Sequence, residues 1–283
     1  MKKMMKQLLK LLRVKHYIKN VLVFLPMFFG GVIFEKNRII NACLGFIAFS
    51  FLSSVVYIIN DYRDIEKDRN HPTKRNRPLA SGAISIRSAA LCSVVLLVVI
   101  ISVSTLIGNY IASACLLGYL LLNVLYSMGL KNKPVIDVVI LATGFVIRVI
   151  YGGLVTGVTI SKWLYLVVVT GSLYMGLGKR RNELRGQTDS REVLKYYNES
   201  FLDKNMYVCV ALVNVFYALW SIEMPNPRMI WTVPFFIVLL MCYSLDIEGD
   251  SDGDPVEVII HDKSLMTYII MYAVYVFLFL YIF

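Results

Sequence analysis

Apolar runs of bilayer-crossing length recur from one end of the chain to the other, at about 18–34, 39–59, 88–108, 110–128, 135–157, 162–178, 205–222, 228–245 and 264–283. A helix needs roughly 20 largely apolar residues to cross the hydrocarbon core. Backbone polar groups find no water there, so the runs predict α-helices. The pattern therefore predicts an all-α integral membrane protein with about nine transmembrane helices. Short connections alternate with three long polar ones, 60–87, 179–204 and 246–263. Residues 1–17 mix lysines with leucines and methionines and have no small-residue cleavage site after them. They predict a retained, basic, amphipathic helix at the membrane surface.

Composition agrees with a single membrane domain over 1–283: hydrophobic residues make up 58%, charged residues 17%, and mean hydropathy is +0.65. Cys43, Cys92, Cys115, Cys209 and Cys242 all fall inside apolar runs without CxxC spacing, which marks them as small buried hydrophobes. Of the 29 lysines and arginines, all but Lys36, Arg38, Lys162, Arg228 and the mid-span Arg148 fall on one side if the spans alternate. The positive-inside rule then sets the N-terminus in, the C-terminus out and the three long connections on the cytoplasmic face of a plasma membrane. That topology, with anionic lipid, accounts for the net charge of +10 and leaves no need for nucleic acid.

The first long connection opens with NDYRDIEKDRNHPTKRNRPLASG, residues 60–82. Asn60, Asp64 and Asp68 recur every four residues and Asp61 lies three before Asp64. If the second span continues as a helix, these four side chains share one face. Clustered carboxylates at a helix C-terminus repel one another and the helix dipole unless a cation neutralises them. Magnesium suits, because it takes one or two carboxylates and fills its shell with water and substrate phosphates. Lys74, Arg75 and Arg77 follow, and they can meet phosphate oxygens that the metal leaves uncovered. A loop of solvated mixed charges is the competing reading, but such loops seldom place four oxygen ligands on one helical face.

NDYRDIEKD resembles the NDxxDxxxD motif of the UbiA superfamily of intramembrane prenyltransferases, and YSMGLKNKPVIDV at 126–138 is similar to the family's fourth-to-fifth helix connection. The resemblance implies nine helices in a ring around a cytoplasm-facing polar cavity. Members that prenylate aromatic rings carry a second aspartate-rich motif in the sixth-to-seventh connection. Here that segment reads GLGKRRNELRGQTDSREVLKYY, with Lys179, Arg180 and Arg181 at the membrane exit. Glu183 and Asp189, six apart, fall on opposite sides of a helix and make a poor metal pair.

That departure resembles the decaprenyl-phosphate phosphoribosyltransferase subfamily. So do HPTKRNRPLASG at 71–82, the pair Lys19–Asn20 opening the first span, and GDPVEVIIHDKSL at 253–265. The resemblance implies a magnesium-dependent enzyme that moves phosphoribose from phosphoribosyl pyrophosphate to a polyprenyl phosphate in the bilayer. The product would be an activated pentose donor for envelope glycans. Asp61, Asp64 and Asp68 would be the catalytic carboxylates, holding magnesium with Asn60. Lys19, Lys74, Arg75 and Arg77 would bind the donor's 5-phosphate or its diphosphate. Lys179, Arg180 and Arg181 would draw in the lipid phosphate. A phosphate dianion is a competent nucleophile, so the three histidines need not supply a base.

Arg148 is costly in lipid and is expected to face the cavity, with Asp137 about three turns away on the same side. Each would contact substrate or pair with another helix. Tyr126 and Asn123 read first as interhelical hydrogen-bonding groups. In the last long connection Glu248, Asp250, Asp252 and Gly253 fit the opening of an EF-hand loop, but Ile259 stands where its bidentate glutamate belongs, which argues against calcium. A loop closing over the cavity or a plain solvated turn are the alternatives. Two other functions compete: prenyl transfer to an aromatic or other small acceptor, and a transporter or lipid-binding protein. The spans show no internal repeat of the kind transporters use. A homo-oligomer, if one forms, assembles within the membrane.

Overall fold

The computed structural model describes residues 2–186, 191–249 and 254–283, and among these all regular structure is helical. Asp189, weighed above with Glu183 as a metal pair, and Asp250, Asp252 and Gly253 of the EF-hand-like opening lie outside the described residues. The α-helices are α1 Lys2–Leu12, α2 Leu25–Phe29, α3 Lys36–Arg63, α4 Ile65–Arg69, α5 Ile86–Ile107 and α6 Tyr110–Met128. They continue with α7 Ile136–Thr156, α8 Lys162–Arg185, α9 Glu199–Glu223, α10 Thr232–Glu248, α11 Pro255–His261 and α12 Lys263–Tyr281. Seven helical stretches are long and apolar enough to cross a membrane: α3, α5, α6, α7, α9, α10 with the turn before it, and α12.

The other two expected spans differ for separate reasons. The sixth forms one helix, α8, but its last two turns carry Lys179, Arg180, Arg181, Glu183 and Arg185, so its apolar part is shorter than the helix. The first is not one α-helix. It runs as a 3-10 helix over Val14–Phe24 and then as α2. Runs of 3-10 helix beyond three or four residues are uncommon, so tertiary contacts must hold this one. Asn20 is fully buried; its Nδ2 donates to Ser50 Oγ at 3.0 Å, and its Oδ1 accepts from Arg148 Nε at 2.8 Å. Gly152 of α7 presses against the same segment. A Cβ there would lie 2.1 Å from the Val23 carbonyl oxygen.

The chain packs as two compact units. The first holds residues up to Phe28, Val32–Gly129 and Ile147–Thr159; the second holds Phe29–Gly31, Leu130–Val146 and Ile160–Phe283. In the first unit Val23, Phe49, Leu52, Tyr119 and Tyr151 form one core. A second core brings Leu11 of the N-terminal helix onto Val55, Ile58, Ile65 and Leu79. Leu11 is fully buried whereas Met4, Met5 and Leu9 are exposed, so one face of α1 is a packed element. In the second unit Val138, Tyr174, Leu177, Leu202, Met206, Tyr243 and Ile247 form the core.

Gly152→Ala is expected to lower the melting temperature in detergent, because overpacking against a backbone carbonyl costs about 1–3 kcal/mol. Gly118, with nothing within 4 Å of a built Cβ, is the control. Gly118→Ala should be neutral or stabilising by about 0.5–1 kcal/mol. Equal melting curves for the two variants would contradict the close approach at Val23.

Candidate active site

The acidic segment does not continue as one helix. α3 ends at Arg63; Asp64 turns to φ −97° and ψ 9° while its N–H still donates to the Asn60 carbonyl at 3.0 Å, and α4 begins at the buried Ile65. Backbone bonding nevertheless keeps its four-residue step across the bend, the Asp68 N–H donating to the Asp64 carbonyl at 2.7 Å. The four groups differ in their surroundings. Asp61 and Asp68 are buried at 2% and 3% exposure, Asp64 is half-buried at the bend, and Asn60 accepts a hydrogen bond from Ser127 Oγ at the end of α6.

Two arginines converge on the buried pair. Arg77 Nη1 donates to Asp68 Oδ2 at 2.7 Å and to Asp61 Oδ1 at 3.2 Å. Arg13 Nη2 donates to the same Asp61 Oδ1 at 2.5 Å, with its guanidinium 4.6 Å from the centre of the Tyr57 ring. The loop that delivers Arg77 follows from its residue types. His71 Nδ1 accepts from the backbone N–H of Thr73 and of Lys74, which closes the turn into a short 3-10 helix over Lys74–Asn76. Pro78 disfavours α geometry at the residue before it, and Arg77 sits at φ −67° and ψ 145°. Leu79 and Ala80 then bury, and Ser85 caps α5 through the Ser88 N–H. Arg13 reaches Asp61 from a left-handed turn (φ 51°, ψ 46°) between α1 and the 3-10 segment. Such a conformation costs a non-glycine residue roughly 1–3 kcal/mol, which this ion pair and the ring contact offset. Lys74 and Lys19 are half-buried and Arg75 is exposed.

Arg13 and Ser127 escaped sequence reasoning. Arg13 lies 48 positions from its carboxylate and reads locally as one more surface cation.

Of the two roles left open for Arg148, substrate contact or pairing with another helix, its contacts in the structure are of the second kind. Its Nε binds Asn20, its Nη2 donates to Tyr119 Oη at 3.1 Å, and its guanidinium lies 5.0 and 5.2 Å from the centres of the Phe49 and Tyr119 rings. It is a buried bracket that anchors the irregular first span. Tyr126 is half-buried on α6, one residue before Ser127.

In the second unit Lys179, Arg180 and Arg181 do not act as one cationic cluster. Successive helical residues diverge by 100°, and each cation has its own carboxylate. Lys179 Nζ pairs with Asp254 at 3.0 Å, Arg180 Nε with Asp137 at 2.5 Å, and Arg181 Nε with Asp203 at 2.5 Å. Arg180 is fully buried and binds Glu183 as well, so in this structure its charge is compensated within the core. Tyr197 Oη donates to Asp137 Oδ1 at 2.6 Å and accepts from the Val135 N–H at 2.6 Å. Burial, then that carboxylate, raises the Tyr197 phenol above its ordinary pKa, so it stays a proton donor. Val135 itself stands at φ 68°, unusual for a β-branched residue. Lys179 keeps partial exposure, and Arg181 Nη1 is buried with no partner among the described residues.

The donors around Asp61 fit magnesium. The guanidinium contacts use Asp61 Oδ1 and Asp68 Oδ2, which leaves the second oxygen of each carboxylate outside these pairs. Among the described residues no three metal-ligating side chains are already gathered. An ion that takes one or two carboxylates and otherwise water and phosphate does not require such a cage.

A profile of the UbiA prenyltransferase family matches residues 23–182. A decaprenyl-phosphate phosphoribosyltransferase of Corynebacterium glutamicum is 35% identical over 289 aligned residues, covering 95% of this chain and 87% of the relative. One from Mycobacterium tuberculosis is 33% identical, covering 90% and 88%. Among solved structures, a UbiA homolog from Archaeoglobus fulgidus bound to GPP and Mg2+ superposes with a TM-score of 0.75 at 21% identity, over 96% of this chain and 99% of that one.

Removing Arg180 would leave Asp137 buried without its cation and Glu183 with only Arg191, at 3.7 Å, at a cost of about 3–5 kcal/mol. Arg180→Ala is therefore expected to lose thermal stability or fail to accumulate. Arg185→Ala, which breaks a half-exposed pair with Glu199, should change stability by no more than about 1 kcal/mol. A stable Arg180→Ala protein lacking only activity would restore Arg180 as a phosphate ligand.

Proposed function

Because this chain belongs to the UbiA prenyltransferase family, we propose that it transfers 5-phosphoribose from phosphoribosyl pyrophosphate to a polyprenyl phosphate, releasing pyrophosphate. The observation that carries the reading is the pairing of two buried carboxylates, Asp61 and Asp68, with Arg77 and Arg13. Such an array offers hard oxygens to a divalent cation and guanidinium groups to a diphosphate. Aligned identity with decaprenyl-phosphate phosphoribosyltransferases over nine-tenths of the chain supports this acceptor class.

Asp61, Asp64 and Asp68, with Asn60 beside them, are the residues that would hold magnesium, which would supply charge neutralisation to the leaving pyrophosphate. Arg77, Lys74, Arg75 and Lys19 bind the donor's phosphates. The C1–O bond to pyrophosphate breaks as a phosphate oxygen of the lipid bonds to C1, and the ribose ring oxygen stabilises the cationic character between. Lys179 orients the acceptor phosphate, with Arg181 Nη1 as a second donor. No general base is required, since the acceptor oxygen is already anionic.

The chain is an integral multi-pass membrane protein. The remaining elements of the reading are nine spans, N-terminus in and C-terminus out, the whole chain as one catalytic domain, and an active site on the cytoplasmic side of the plasma membrane. The one-sided distribution of lysine and arginine supports the orientation.

The test is a detergent assay with labelled phosphoribosyl pyrophosphate, a polyprenyl phosphate, and magnesium or excess chelator. Label is expected in the lipid phase only with magnesium. Asp64→Asn, at the half-buried bend, should lower turnover by roughly 10²-fold or more with the melting curve preserved, whereas Asp61→Asn should lose turnover and some thermal stability together, because it removes the charge that Arg13 and Arg77 share. Lys179→Ala should raise KM for the lipid roughly tenfold, the worth of one charged hydrogen bond, and leave KM for the donor near its original value. Transfer from a prenyl diphosphate to an aromatic acid, with none from phosphoribosyl pyrophosphate, would replace this reading by aromatic prenylation.

A further inference from the structure

The N-terminal helix α1 carries strips of different character along its length. Leu11 is fully buried, and with the partly buried Leu8 and Leu12 it clusters with Val55, Ile58, Ile65 and Leu79. Met5 and Leu9, one turn apart on the next strip, are exposed at 58% and 49%. Lys6 and Lys10, one turn apart on the strip beyond, are exposed as well, and among the described residues neither forms an ion pair or hydrogen bond. The helix has no acidic residue to offset them. Its level is fixed by α3, whose apolar run ends at Ile59, just before Asn60 and Asp61. α1 packs with Val55 and Ile58 on one side of that point and with Ile65 and Leu79 on the other, so it lies where hydrocarbon gives way to headgroups.

Two features weaken this docked position. A helix of 11 residues is marginal without outside contacts, and docking leaves Gln7 Oε1 buried with no hydrogen-bond partner among the described residues. The candidate site nevertheless depends on it. α1 leads directly into Arg13, whose left-handed turn aims the guanidinium at Asp61, and the Leu12 carbonyl accepts from Ser54 Oγ at 2.8 Å.

We infer that α1 senses the charge of the leaflet in which α3 ends: anionic headgroups meet Lys6 and Lys10, Met5 and Leu9 enter the acyl boundary, and α1 is thereby held docked with Arg13 on Asp61. A soluble acidic partner would leave the apolar strip uncovered, and a neutral bilayer would leave the lysines uncompensated. An anionic membrane surface matches both strips. Undocking would draw Leu11 out of the cluster that contains Ile65 of α4 and Leu79, two residues after Arg77, and would carry Arg13 away from its carboxylate. The inference rests on the proposed function only in treating Asp61 and Arg77 as part of the donor site; the membrane contact itself does not depend on the reaction.

Hydrogen exchange of the full-length protein in nanodiscs of phosphatidylcholine, with or without phosphatidylglycerol, tests this without any turnover. Amides of α1 and α4 are expected to slow together in phosphatidylglycerol, those of α1 by roughly 30-fold, the worth of two lysines at an anionic surface. The difference should collapse near about 1 M salt, where the screening length is about 3 Å. Lys6→Gln/Lys10→Gln should exchange alike in both lipids, and Met5→Gln/Leu9→Gln should exchange faster than wild type in both. In the transfer assay, phosphatidylglycerol should lower KM for phosphoribosyl pyrophosphate in wild type and leave it unchanged in the lysine variant. Equal exchange of wild-type α1 in the two lipids, slowing of α1 without α4, a lysine variant that still slows, or an unchanged KM in an active wild-type enzyme would each overturn the inference. Slowing of both helices in a protein that transfers no phosphoribose would uphold the sensor and remove the proposed reaction instead.

Discussion

A charge carried into a low-dielectric interior must bring its partner with it, and the fold of this chain is organised around meeting that condition. Asp61, Asp137, Arg148 and Arg180 are all buried in otherwise apolar surroundings, and none is satisfied by its own helical neighbours alone. The long-range pairs they demand fix what hydrophobic packing by itself would leave loose. Arg148 pins an irregular first segment to α7, and Arg180 ties the start of α7 to α8 and, through Tyr197, to the loop ahead of α9. Lipid-facing helices can slide against one another at little cost; helices sharing a buried ion pair cannot.

The same condition explains how the candidate site is poised. In Asp61 and Asp68 the chain holds two carboxylates out of water that would repel if left alone, and it uses Arg77 to bridge them. Under the proposed function a metal would meet the carboxylates and a diphosphate the guanidinium groups, and the internal ion pairs would be exchanged for equivalent ones with the ligands.

What the sequence made legible and what it hid divide along sequence distance. Hydropathy revealed the apolar runs, and the NDYRDIEKD spacing marked the acidic site, because both are local patterns. The bend at Asp64 was hidden, since a four-residue recurrence looks the same whether or not the helix continues. The scattered directions of Lys179, Arg180 and Arg181 follow from helical geometry alone, yet the three read as a cluster until Asp254, Asp137 and Asp203 appear beside them from other elements. Arg13 was the hardest to see. Its meaning lies in a contact 48 positions away, and nothing in the run of N-terminal lysines distinguishes it.

The position of Arg13 also bears on how the chain is made. Synthesis proceeds from the N-terminus, so Arg13 has emerged before Asp61, which must be buried beneath the end of α3, and before Arg77 has been added. The first carboxylate therefore meets a waiting cation while the second span is still inserting. Asp137 has no such arrangement: its partner Arg180 lies 43 residues downstream, on the next helix. The first unit can neutralise its buried acid as it is produced, whereas the second must hold an uncompensated charge until α8 has been delivered. Helix insertion in this family member thus has a built-in order, with the unit that holds Asp61 able to settle first.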